Sequence, residues 1–166
     1  MTTRTAYIGI GSNLGDRQKN CTAAIDLLAH YRDIKVSDLS DWYETKALPT
    51  AGWTLPQPDY VNGVARIETP LPPAELLSRL LEVESRLGRP MERQKGEPRT
   101  VDLDLLLYGD MIIDEPGLSV PHPELAKRLF VLVPLCDIAP DAVDPRSGLS
   151  AAEMRELLST DTEANR

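Results

Sequence analysis

Residues 100–113 read TVDLDLLLYGDMII, a strand signature that runs into a turn. From Thr100 to Tyr108 the order is one of strict alternation, and successive strand side chains point to opposite faces. Val101, Leu103 and Leu105 therefore share one face, while Asp102 and Asp104 share the other, about 7 Å apart along the strand. Gly109-Asp110 reads as a hairpin turn, with Met111 to Ile113 beginning a returning strand. A sheet with one apolar and one acidic face at this strand needs helices on the apolar side, and the flanking sequence supplies them.

Before this strand, Arg89 to Pro98 is a charged loop, and before that Thr69-Pro70-Leu71-Pro72-Pro73 announces a helix start. Leu76, Leu77, Leu80, Val83, Glu84 and Leu87 recur at helical spacing, and Gly88 stands where a C-terminal cap is expected. Tyr60 to Glu68 is a further strand. Lys46 to Pro58 holds three prolines, a glycine and Trp53 without periodicity, and loops of that length in compact domains carry function. Ile34 and Val36 alternate in a strand that continues through Leu39 toward Tyr43, and Asp16 caps a helix to about His30 whose face is Cys21, Ala24, Ile25 and Leu28. Ala6 to Ile10 is a buried strand that ends in the turn Gly11-Ser12-Asn13-Leu14-Gly15. The order βαββαββ predicts an α+β fold: a ferredoxin-like sandwich with a mainly antiparallel sheet and both helices packed on one face. Glu124 to Cys136 fits a short helix or a strand equally. Ala151 to Leu158 reads as a terminal helix that frays into the polar tail 159–166, so one domain is expected over 1–158.

The composition bounds what such a domain does. With 166 residues, 42% of them apolar, the chain has the material for one compact core. Lys plus Arg number 18 against 26 Asp plus Glu, a net charge of −8, which gives no general attraction to nucleic acid or to an anionic membrane. The two cysteines, Cys21 and Cys136, have no His or Cys neighbours at metal-ligand spacing and make no disulfide framework. With no leader pattern after Met1 and no bilayer-length apolar run, a cytoplasmic protein is expected.

Two acidic side chains on one sheet face need a cation. Hard oxygen ligands in this pattern suit magnesium shared with phosphates, because Mg²⁺ keeps its waters and takes one or two carboxylates plus the substrate's own oxygens. Taken alone, the pair is better described as a solvated strand face. The neighbouring segment changes the weighting: Arg86, Arg89, Arg93, Lys95 and Arg99 stand against only Glu92 and Glu97 in an otherwise acidic chain. Phosphoryl transfer needs metal ions on phosphate oxygens and guanidinium groups on the charge that moves between attacking and leaving oxygens. His122, fixed between Pro121 and Pro123, is the histidine better placed to act as a ligand, whereas His30 belongs to the surface. Tyr60 and Asn62 share a strand face, where a ring and a two-way amide suit one flat heterocycle.

Taken together, Gly11-Ser12-Asn13-Leu14-Gly15, Tyr43-Glu44-Thr45, Asp59-Tyr60-Val61-Asn62, Gly88-Arg89, Pro98-Arg99-Thr100-Val101-Asp102-Leu103-Asp104-Leu105, and Val120-Pro121-His122-Pro123 with Arg128 and Phe130 resemble the 6-hydroxymethyl-7,8-dihydropterin pyrophosphokinases of folate biosynthesis. The resemblance covers about Thr5 to Pro140. It implies transfer of pyrophosphate from ATP to the pterin hydroxymethyl group with release of AMP, on a ferredoxin-like fold. It implies that Asp102 and Asp104 hold two Mg²⁺ ions, and that Arg89 and Arg99 act with them as catalytic groups on the phosphates. It further implies that Lys95, Leu105, Ser119, His122 and Arg128 contact ATP, and that Thr45, Leu48, Tyr60, Asn62 and Phe130 form the pterin site. The expected partners are these two small molecules, with a monomer and no obligate protein partner.

The sequence departs from the family pattern at Met91, Lys95, Gly96 and Glu97 and at Gly117. Met91, Lys95 and Glu97 support one alternative, a non-catalytic pterin-binding relative with a decayed loop. A nucleotidyltransferase also pairs a Gly-Ser turn with alternating aspartates, but within a dozen or so residues, and here the pair lies far from Ser12.

Overall fold

The computed structural model describes residues 2–45, 59–88 and 100–164. Strand β1 (Arg4–Ser12) leads into helix α1 (Arg17–His30), then β2 (Lys35–Leu39), β3 (Tyr43–Thr45) and β4 (Tyr60–Thr69). Helix α2 (Pro73–Arg86), β5 (Asp102–Tyr108), the short strands β6 (Ile113–Glu115) and β7 (Leu118–Val120), and helices α3 (Leu129–Ile138) and α4 (Ala151–Ala164) follow. The main sheet runs β2-β4-β1-β5 with β3 also on β4, and every pairing in it is antiparallel. Counting β2 and β3 as one interrupted strand, this is the strand order of the ferredoxin-like α+β fold that the sequence predicts.

Local chemistry explains the boundaries. Asp16 accepts a hydrogen bond from the Lys19 N–H at 3.2 Å and caps α1. Pro73 opens α2 at a position where its missing N–H costs nothing, and Gly88, at φ +93°, takes the left-handed conformation that follows the helix end. β2 and β3 are separate because the chain steps aside at Ser40, whose hydroxyl accepts the Val64 N–H at 2.8 Å while its own N–H donates to the Val64 carbonyl at 2.9 Å. The Trp42 ring then lies over Gly63, the one residue of β4 that leaves room for it.

Helices α1 and α2 cover one face of the sheet and bury Ile8, Ile10, Cys21, Ala24, Leu28, Ile67, Leu76, Leu80, Val83, Leu103 and Leu105. A third layer goes beyond the expected two: α3 and α4 bury part of the other face around Val64, Leu106, Val131, Leu132, Leu135 and Met154. Residues 124–136, ambiguous in sequence, form a single 3₁₀ turn and α3. The run Leu129–Leu135 has no periodicity because α3 is enclosed between β4 and α4. Helix α4 continues to Ala164 instead of fraying after Leu158.

Two expectations for 100–113 need correction. Alternation stops after Leu105, because a bulge opposite Tyr7 and Ile8 turns both Leu106 and Leu107 toward the second core. Met111 to Ile113 does not return along β5. Gly109 stays on β1 through its N–H to the Thr5 carbonyl at 2.8 Å, and β6 pairs with β7 in a separate ribbon. The outer edge of β5 already has other partners: Glu84 accepts the Leu103 N–H at 2.7 Å, and the Leu106 carbonyl accepts the His122 N–H at 2.9 Å.

A Cβ on Gly63 would meet the Trp42 ring at 2.5 Å. Gly63→Ala is therefore expected to cost about 1–3 kcal/mol by overpacking. In urea the midpoint falls with an unchanged slope, whereas a wild-type midpoint would show that Trp42 moves away freely.

Candidate active site

The polar residues singled out in the sequence lie at one end of the sheet. Register places them in rows. Tyr43 pairs with Asn62, Asn62 with Gly11, and Gly11 with Asp102, so the four share one face in a single row across the sheet. The next row is Val64, Gly9 and Asp104. Asn62 and Asp102 thus lie two strand spacings apart, about 10 Å, with a glycine between them.

That glycine is required by the space. A Cβ at Gly11 would stand 2.9 Å from Asn62 Oδ1 and 3.7 Å from Tyr60 Cδ1. Asn62 is buried, and its amide donates to Thr45 Oγ1 at 2.6 Å, which fixes the plane of the side chain. Tyr60 pairs with Thr45 at the last rung of the β3–β4 ladder. Phe130 lies in the first turn of α3, which packs across β4, and the Arg128 guanidinium sits 5.5 Å from its ring centroid. One face of the Phe130 ring is therefore taken by a cation.

Asp102 and Asp104 are half-buried on the open face, as the alternation predicts. His122 reaches them from the segment after β7. Its Nδ1 accepts the Glu124 N–H at 3.1 Å, so in the neutral ring Nε2 carries the proton, 3.9 Å from Asp104 Oδ1. Burial, followed by the charge of Arg128, lowers the His122 pKa below the ordinary imidazole value, against opposing pulls from Glu124 and Asp102. Above pH 6.5 the ring is an uncharged donor.

Two of the expected ATP contacts are not on the aspartate face of β5. The Leu105 side chain is in the first core, on the face opposite the aspartates, and is 5% exposed. Like Leu103, whose N–H leaves the outer edge of β5 for Glu84, Leu105 presents its backbone to that edge, so main chain is what it offers a ligand. Ser119 is exposed on β7 opposite Asp114. In the Gly11–Gly15 turn, Ser12 and Asn13 are wholly buried, and Asn20 holds the Leu14 carbonyl at 2.8 Å. Leu48, Arg89, Lys95 and Arg99, with Met91, Gly96, Glu97 and the loops 46–58 and 89–98, lie outside the described residues.

In sequence, Glu84 is one member of the α2 helix face with no role beyond it. It is 1% exposed and accepts the N–H of Leu103, the residue between the two aspartates. A carboxylate at a core position of an apolar helical stripe was the available signal.

Among the described residues no three His, Cys, Asp or Glu side chains converge as a self-sufficient metal cage. Two half-buried carboxylates with a neutral imidazole beside them suit a hard cation that arrives with phosphate oxygens, and the donor set fits magnesium on that basis. Two carboxylates at one side of a sheet end, and a fixed amide beside Tyr60 at the other, suit a small phosphoryl-transfer enzyme. Comparison with known proteins makes this particular: the 7,8-dihydro-6-hydroxymethylpterin-pyrophosphokinase (HPPK) family model matches residues 7–140, and the chain belongs to that family. It is 44% identical over 151 residues to the 2-amino-4-hydroxy-6-hydroxymethyldihydropteridine pyrophosphokinase of Synechocystis, covering 91% of this chain and 74% of that one. The Haemophilus influenzae protein of the same name is 43% identical over 143 residues, 86% of each chain. In fold, the chain is similar to wild-type Plasmodium falciparum HPPK-DHPS with pteroate, at a TM-score of 0.74 and 12% identity over 98% of this chain. It spans 44% of that longer protein.

Glu84→Leu leaves the Leu103 N–H buried without an acceptor and is expected to lower stability by about 1–3 kcal/mol. Amide exchange at Leu103 should accelerate together with the loss, and Glu84→Gln, which keeps an acceptor, should lose less. Equal losses in the two variants would assign the effect to the charge and not to the hydrogen bond.

Proposed function

We propose that this chain transfers the β,γ-pyrophosphoryl group of ATP to the hydroxymethyl oxygen of 6-hydroxymethyl-7,8-dihydropterin through the site just described. The hydroxymethyl oxygen attacks the β-phosphorus and gives up its proton, the bond to the α,β-bridging oxygen breaks, and AMP leaves. The observation that supports the reading is the row Asn62–Gly11–Asp102, which sets an amide and a carboxylate on one face of the sheet with no side chain between them. The names of the relatives support the same reaction. Asn62 reads the polar edge of the pterin, Tyr60 and, by resemblance, Phe130 enclose the ring, and Thr45 holds the amide in plane, with Leu48 as a further wall.

On the phosphate side, Asp102 and Asp104 would hold two Mg²⁺ ions, which when bound offset phosphate charge and polarise the β-phosphoryl group. His122 donates from Nε2, Arg128 contributes charge, and Ser119 and the Leu105 backbone line the nucleotide end. Arg89, Lys95 and Arg99 are assigned to the phosphates by resemblance, with Arg89 and Arg99 acting on the charge that develops at transfer. The non-catalytic alternative has no support among the relatives, which are named as pyrophosphokinases. We take residues 1–158 as the domain, acting as a cytoplasmic monomer. No described helix is long and apolar enough to cross a membrane.

The test is AMP formation from ATP and the hydroxymethyl pterin, with and without chelator. Asp102→Asn and Asp104→Asn should each lower kcat by about a hundredfold or more while leaving pterin affinity without nucleotide unchanged. Near-normal turnover in either variant, or in excess EDTA, would overturn the metal assignment. Asn62→Ala should act on the other substrate, raising the pterin Kd by about tenfold or more, the equivalent of 1–3 kcal/mol for an unmet polar edge. Gly11→Ala should do the same by displacing Asn62 Oδ1, and an unchanged pterin Kd in both would place the heterocycle elsewhere.

A further inference from the structure

Arg17, the first residue of α1, reaches two places at once. Its Nη1 donates to the Asp59 carbonyl at 2.6 Å, and its Nη2 donates to Glu44 Oε1 at 2.6 Å. Those acceptors immediately precede Tyr60 and Thr45, the pair that forms the last rung of the β3–β4 ladder. Glu44 pairs with Val61, so the grip comes from the α1 side of the sheet, opposite the face on which Tyr60, Thr45 and Asn62 present their side chains. One turn further along α1, Cys21 Sγ approaches the Val61 carbonyl at 3.8 Å and fastens the same strand end.

Strand β3 has three residues and borders the sheet, and so short a ladder frays at its end unless something holds it. A cation at the first position of a helix opposes the helix dipole, and the first turn of α1 has no acidic residue within it. An exposed ion pair alone contributes little, whereas a planar guanidinium that meets one acceptor in β3 and another just before β4 fixes their separation. We propose that Arg17 is a positioning residue for the pterin half of the site: it closes the terminal Thr45–Tyr60 rung and so fixes the Tyr60 ring and, through Thr45 Oγ1, the Asn62 amide. This rests on the function proposed above. It assigns to Arg17 a control of pterin affinity that leaves nucleotide affinity untouched.

The experiment measures KM for each substrate by AMP release, and pterin Kd by fluorescence without nucleotide, in wild type, Arg17→Gln, Arg17→Lys and Glu44→Gln. Arg17→Gln is expected to raise pterin KM and Kd by about five- to tenfold, with ATP KM within about twofold of wild type. Arg17→Lys should not restore pterin affinity, because one ammonium does not span both acceptors. Glu44→Gln, an exposed change that leaves the fold alone, should give a smaller rise, and the double variant Arg17→Gln/Glu44→Gln should be no worse than Arg17→Gln alone. The proposal is overturned by unchanged pterin affinity in Arg17→Gln, by equal rises for both substrates, by full rescue with lysine, or by additive effects in the double variant. If Arg17→Gln does not fold, Glu44→Gln decides, and wild-type pterin affinity there counts against the clamp. A wild-type protein that releases no AMP would instead refute the function on which the proposal rests, and the two failures are thereby distinguished.

Discussion

The central strand β1 carries no side chain at two consecutive positions of one face, Gly9 and Gly11, and the rest of the site depends on that bare track. Every other strand of the main sheet that flanks it presents something there: Asn62 and Val64 from β4, Asp102 and Asp104 from β5. With larger residues on β1 the two sets would be walled apart. Gly9 is close to filled already, since a Cβ there would touch Leu106 at 3.4 Å, whereas at Gly11 it would collide with Asn62 Oδ1. Both positions are buried, and Gly11 is the more tightly bounded of the two. On the reverse face the same strand alternates Ala6, Ile8 and Ile10, fully buried against α1 and α2, so the floor has a rigid support.

The acidic side of the floor is held from several directions. β1 pairs the inner edge of β5, Glu84 takes the Leu103 N–H at the outer edge, and the segment after β7 is tied to the Leu106 carbonyl by the His122 backbone. The β6–β7 ribbon is itself braced by Arg146, which forms two bonds to Asp114, at 2.6 and 3.2 Å, and a longer one of 3.4 Å to the Val120 carbonyl. Asp144 in turn shapes the Arg146 turn, accepting its N–H at 2.8 Å. These ties are polar and local. They explain how an edge strand serves as a platform without a further strand beside it.

Much of this was legible in the sequence wherever local chemistry decides structure. Asp16 as a cap, the prolines before α2, Gly88 after it and the opposite faces of Leu103 and Asp104 all follow from short-range rules, and the structure agrees. What was not legible depends on neighbours far along the chain. The bulge that sends Leu106 and Leu107 to one face exists through pairing with Tyr7 and Ile8. The failure of Met111 to return along β5 follows from partners already engaged at that edge, and α3 hides its period because it is enclosed. In the same way Tyr60, Asn62 and the two aspartates stood out as residue types, while the glycines between them gained meaning only once the register aligned Gly11 with both sides. Leu105 shows the reverse case: resemblance brought it to the nucleotide, and parity restricts its contribution to the backbone.

The electrostatics of this arrangement couple its two kinds of charge. A chain of net charge −8 does not draw a triphosphate toward itself from a distance, so nucleotide affinity has to be local. The carboxylates sit on a paired strand and have no freedom to withdraw, and a triphosphate brought against them would meet like charge at partly desolvated range. His122 does not relieve this, because burial and Arg128 keep its ring uncharged at neutral pH. The Arg128 guanidinium is already engaged over Phe130. On the function proposed above, compensation comes from a cation that enters with the phosphates and from the basic residues of 86–99. Nucleotide and divalent cation then assist each other's binding by the same factor in both directions, as linkage requires. On the same proposal the pterin is read across Gly11 from the carboxylates by Asn62 and Tyr60, which bring no charge to that coupling.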